Sequence, residues 1–81
     1  MTPHARDTFG TLYRVYEQYE VIPHNMTSEQ TIEYFRQMGD AFRDACNNLG
    51  NDRLTVNLAV VLAEQVEMNW KDMYLKEAKQ E

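Results

Sequence analysis

The sequence predicts an all-α fold, a small three-helix antiparallel bundle with a long C-terminal helix, and three observations carry that expectation. Apolar residues recur at three- and four-residue steps along most of the chain, the spacing of a helix with one buried face. Glycine and proline are scarce, three and two among 81 residues, and most of them sit where a helix would begin or end. The β-branched cluster Val56, Val60 and Val61 allows a strand locally, but no alternating segment elsewhere could pair with it. A chain of this length supports one core, so residues 1–81 are read as a single domain.

Helix 1 is expected over about residues 3–20. Thr2 can cap it and Pro3 suits its first position, where a fixed φ helps and no N–H is needed. Ala5, Phe9, Leu12, Tyr16 and Tyr19 follow the helical period. Gly10 interrupts this helix at a cost of about 1 kcal/mol relative to alanine, and nothing in the sequence accounts for it. Pro23 disfavours helical geometry at Ile22, so the helix should stop near Glu20 or Val21.

Val21 to Met26 reads as a loop. Thr27 with Gln30 three residues on forms a capping box for helix 2, expected over about 28–49, with Met26 as a hydrophobic staple. Its stripe is the clearest in the chain: Ile32, Phe35, Met38, Phe42, Cys46 and Leu49. Gly39, beside Met38 and Phe42, is a place where another helix could approach closely. Gly50 suits a left-handed C-terminus, and Asn51 or Asp52 can cap helix 3 at once, so helices 2 and 3 should be antiparallel neighbours.

Helix 3 is expected over about 52–79. Leu54, Val56, Leu58, Val60, Val61 and Leu62 make its first half apolar on nearly every side, the pattern of a central helix. Its second half is charged, with Val66, Trp70, Met73 and Tyr74 as a narrower stripe. The core predicted for the bundle is Phe9, Leu12, Tyr16, Phe35, Met38, Phe42, Leu58, Val61 and Leu62.

Charge and composition exclude several classes of function. The net charge is −5, every third of the chain has an acidic excess, and the eight Lys and Arg residues are scattered among acids. Direct nucleic-acid binding, which needs a basic patch to release phosphate counterions, is not expected. The longest uncharged apolar-rich stretch, Leu54 to Ala63, is about half of the ~20 residues that a membrane span requires. With one cysteine, Cys46, and an N-terminus unlike a signal peptide, the expected setting is the cytoplasm.

The chemistry-bearing residues form no recognisable site. His4, His24 and Cys46 lack the paired spacing of a zinc site, and residues 47–52 lack the ordered acids of a calcium loop. There is no phosphate-binding glycine loop, nucleophile elbow or Glu-x-x-His pair. No catalytic residue, cofactor or metal is therefore expected, and Cys46 reads as a buried structural thiol.

Aromatic residues offer the one functional signal. Tyrosine and tryptophan are enriched at interfaces, and three short helices do not need all of Tyr13, Tyr16, Tyr19, Tyr34, Trp70 and Tyr74 inside. A straight helix 3 of about 42 Å would overhang helices of about 27 and 33 Å, leaving Val66, Trp70, Met73 and Tyr74 to a partner. Otherwise Trp70 and Met73 fold back onto the start of helix 1 or its loop. The resulting expectation is a non-enzymatic interaction module that self-associates as a homodimer or binds a protein partner, with Tyr13, Tyr19, Val66, Trp70, Met73 and Tyr74 at its interface. The alternative is an acidic inhibitor or nucleic-acid mimic that blocks a basic groove of its target through Glu29, Glu33, Asp40, Asp44, Glu64, Glu67 and Asp72.

Overall fold

The computed structural model describes residues 2–79, and the side chains of 2–76; Met1, Gln80 and Glu81 of the expected domain lie outside the described residues. Three helices follow one another, α1 (Pro3–Tyr19), α2 (Ser28–Leu49) and α3 (Arg53–Lys79), and each packs on the other two in a body of 49 × 23 × 17 Å. α1 begins beside the α2–α3 turn and ends beside the start of α2, so α1 and α3 run in one direction and α2 in the other. Among the described residues there is no strand, and no helix is long and apolar enough to cross a membrane.

The helix ends follow from local chemistry. The Thr2 hydroxyl accepts from the Ala5 N–H at 3.1 Å, with Pro3 opening α1. α1 closes at Tyr19, just short of the Glu20 or Val21 expected from Pro23, and the Glu20 N–H donates to the Tyr16 carbonyl at 2.9 Å. In the loop, Asn25 takes φ 61°, a left-handed geometry that asparagine tolerates better than most residues. Thr27 and Gln30 make the reciprocal capping box, at 3.1 and 2.9 Å. Gly50 ends α2 at φ 96°, and the Asn51 N–H then returns to the Cys46 carbonyl at 2.9 Å.

The core is narrower than the sequence implies. Leu12, Met38 and Phe42 are buried as expected, together with Ala45, Cys46, Ala59 and Val66, while Tyr16, Phe35, Leu58 and Leu62 are partly buried against them. Phe9 and Val61 are corrections: they keep 42% and 58% of their surface exposed. So do their neighbours Leu54, Val56 and Val60, because two flanking helices cover only one side of α3, along Thr55, Ala59, Leu62 and Val66. Ile32 is 70% exposed, lying roughly 100° around α2 from the line through Met38 and Phe42. Ile22, read as loop, is buried and seals one end of the bundle. No helix of this domain comes close at Gly39, since an added Cβ would meet nothing within 4 Å.

Two apolar truncations should therefore separate cleanly. Leu12→Ala, at a side chain with no exposure, is expected to lower unfolding free energy by about 3 kcal/mol. Val61→Ala should change it by less than about 0.5 kcal/mol. Urea titration followed by circular dichroism reads both, and equal losses would place Val61 in the core.

Candidate interaction surface

Turning Thr8 and Leu12 inward leaves Phe9 and Tyr13 on one flank of α1, and turning Thr55 and Ala59 inward leaves Leu54, Leu58 and Val61 on one flank of α3. The two flanks meet along a shallow, open groove. One stretch of about 340 Å³ is lined by Phe9, Gly10, Tyr13, Leu58 and Leu62. The adjoining stretch, about 460 Å³, runs along Phe9, Leu54, Leu58 and Val61, with Asn57 and Arg53 as its polar members. Gly10 lies on the exposed side of α1, and a Cβ built there would meet nothing within 4 Å. Its missing side chain thus answers to no packing need inside the domain; it keeps the α1 wall of the groove low.

A second apolar region lies where the start of α2 meets the end of α3. Rings continue from α1 to α3 in an unbroken series: Tyr19 on Tyr34, Tyr34 on Phe35 and Phe35 on Trp70 meet edge to face at 5.5, 5.7 and 5.7 Å, and Trp70 stacks on Tyr74 at 5.8 Å. The Tyr34 hydroxyl donates to the Tyr19 carbonyl at 2.6 Å, and burial raises its pKa. Pro23, Met26, Ile32 and Met73 complete a cleft whose remaining lining is polar.

This arrangement corrects the expected interface. Val66 is fully buried, so it cannot meet a partner. Trp70 and Met73 are partly buried against the core, received by the first turns of α2 and the loop before it. They do not reach the start of α1, which lies at the opposite end because α1 and α3 run in the same direction. Tyr19 is half-buried on Tyr34, whereas Tyr13 and Tyr74 stay 55% and 59% exposed. The structure therefore brings only Tyr13 to the α1–α3 groove, and Phe9, Gly10, Leu54, Leu58, Val61 and Leu62 are the lining residues that sequence reasoning missed or assigned to the core.

A polar string fastens the other end of the bundle. Asp52 accepts from the Thr55 hydroxyl through Oδ1 and from His4 Nε2 at 3.1 Å through Oδ2. Because the Thr55 proton points at a carboxylate, the Thr8 hydroxyl, 3.2 Å away, must donate to Thr55 Oγ1. Both threonines are fully buried, so their pairing satisfies groups that would otherwise be costly inside. The Thr55 hydrogen bond, then His4, hold the Asp52 carboxyl below its ordinary pKa. Burial, with Asp52 nearby, pushes the Cys46 thiol up, which lowers its thiolate fraction and its reactivity. Among the described residues no three His, Cys, Asp or Glu side chains gather to hold a metal ion.

On α2 the acids are interleaved with cations. Arg36 bonds Glu33 and reaches Asp40 at 3.0 Å, and Arg43 pairs with Asp40 and Asp44 at 3.3 and 3.5 Å. Hydrogen bonds from Arg36 and then Gln37 bring the Glu33 pKa down to about 2.

The lowered Asp52 value has a definite sign in stability. A carboxyl held down in the folded state contributes stability above its unfolded pKa, near 3.8, and loses it as pH falls through the lowered folded value. Asp52→Asn should accordingly flatten the acid limb of the stability-versus-pH curve below about pH 5. Denaturant titrations across that range check this, and an unchanged slope would mean that the Asp52 contacts do not persist in solution. A scan against protein-family models, a search of curated proteins and a search of solved structures each return no match to this chain.

Proposed function

We propose that the protein is a small non-enzymatic interaction module that takes a helix, from a protein partner or a second copy of itself, into the groove between α1 and α3. The observation that carries this reading is the exposed Gly10 in a groove lined by Phe9, Tyr13, Leu58 and Leu62. A mid-helix glycine costs about 1 kcal/mol and gives nothing to the packing of the isolated domain, while small residues are what allow a second helix to come close. The cleft at Trp70 and Tyr74 fits a docking role less well, since its own rings already stack on one another. The reading assigns no role to nucleic acid or membrane, and it sets the protein in the cytoplasm, in keeping with its single buried thiol.

The acidic-inhibitor alternative has less behind it. Arg36 and Arg43 leave the exposed face of α2 mixed in sign rather than uniformly negative.

Gly10 gives the test. Gly10→Ala should raise unfolding free energy by about 0.5 to 1 kcal/mol, because helix propensity improves with no clash. Gly10→Leu should keep the fold yet fill the groove, and Val61→Asp should charge it; each is expected to remove self-association or the proteins recovered with the wild type. Thermal melts, solution mass and affinity recovery read the outcome. If both groove variants kept the wild-type mass and partners, the reading would be wrong.

A further inference from the structure

Resting on that reading, we propose that the occupant of the groove is a second copy of the chain, turned end for end about a two-fold axis so that the two α1 helices pack antiparallel. Arg6, Gly10, Tyr13 and Glu17 follow one another along α1 at steps of four, three and four residues, and all four side-chain positions are exposed. These steps trace one face of a helix. The spacing reads the same in both directions, so an identical stripe running the other way meets it in register.

In that register each unlike pair forms twice. Tyr13 of one copy lies over the open position at Gly10 of the other, a large ring against the missing side chain. Arg6 of one copy faces Glu17 of the other, with Glu20 one turn beyond. The stripe is basic at its start (Arg6) and acidic at its end (Glu17), which opposes a parallel pairing of two copies along it and favours an antiparallel one. On α3 the polarity repeats, from Arg53 beside the groove to Glu64 further along.

A two-fold contact uses the same patch on both partners and must be self-complementary, which this stripe is. A stable interface takes about 800 Å² from each partner, against 5946 Å² of surface on this chain. The stripe alone is too short for that, so Phe9, Leu54, Leu58 and Val61 beside it belong to the contact; Phe9, Leu54 and Val61 leave 42%, 39% and 58% of their surface in solvent there.

The test uses the full chain and absolute molar mass by light scattering over a concentration series. The expected result is a reversible dimer at twice 9.6 kDa. Arg6→Glu and Glu17→Arg should each weaken it tenfold or more, and the Arg6→Glu, Glu17→Arg double variant should restore it. All these positions are exposed, so circular dichroism should stay at the wild-type signal. A photo-crosslinking residue at position 13 should join the second copy at residues 9–14. A monomer at every concentration would overturn the second copy while leaving the groove reading to stand or fall on partner recovery with Gly10→Leu. A dimer that tolerates both single charge reversals would overturn this pairing.

Discussion

A helix with two neighbours can hide only part of its circumference, and that geometric limit governs everything else in this molecule. In a three-helix bundle no member is central. α3 must choose a single inward line, and it chooses Thr55, Ala59, Leu62 and Val66, running on to Trp70 and Met73. The buried members of that line near the start of α3, Thr55 and Ala59, are small, as are Thr8 on α1, which meets Thr55, and Ala45 on α2. The large aliphatic residues beside the line are then left in solvent. An apolar surface here follows from a helix carrying more hydrophobic side chains than two neighbours can cover.

The two ends of the bundle are held by different forces. At the start of α1 and α3, hydrogen bonds run Thr8 to Thr55 to Asp52, and His4 adds a fourth member from the surface. Each bond in such a string polarises the next. At the other end, rings meet edge to face from Tyr19 through Tyr34 and Phe35 to Trp70, which stacks on Tyr74, and the Tyr34 hydroxyl ties the series to the Tyr19 carbonyl. A third tie sits between them in sequence: the Asn69 amide donates to the Tyr16 hydroxyl at 3.4 Å, fixing α3 against the last turn of α1.

Helix count, boundaries and caps were legible in the sequence because each depends on residues close along the chain. Thr2 with Pro3, Thr27 with Gln30, and Gly50 act within one turn. Burial was less legible, since it depends on which flank a neighbour covers. Val61 and Leu62 are adjacent and both apolar, yet one faces solvent and the other the bundle. Thr8 and Thr55 escaped notice because polarity hides a core position, although each lies four residues from a buried partner, Leu12 and Ala59. Of the expected interface, Tyr13 was within reach because it stands opposite the buried line of α1. Val66 was misplaced because a stripe on an assumed overhang looks the same as a stripe on a packed helix. Gly10 was visible as an anomaly from the start, and only the empty space around it gives that anomaly a meaning.

The position of the lone tryptophan gives the molecule a built-in optical gauge. Trp70 touches Phe35 of α2 on one side and Tyr74 of its own helix on the other, so its emission depends on how firmly the end of α3 is seated on the start of α2. The α1–α3 groove, lined near the other end by Phe9 and Leu54, lies outside its immediate surroundings. Fluorescence thus reads the seat of α3 on α2 while backbone ellipticity reads the helices of the whole chain, and a fluorescence change that precedes the ellipticity change on heating marks α3 lifting from α2 while the helical turns remain intact.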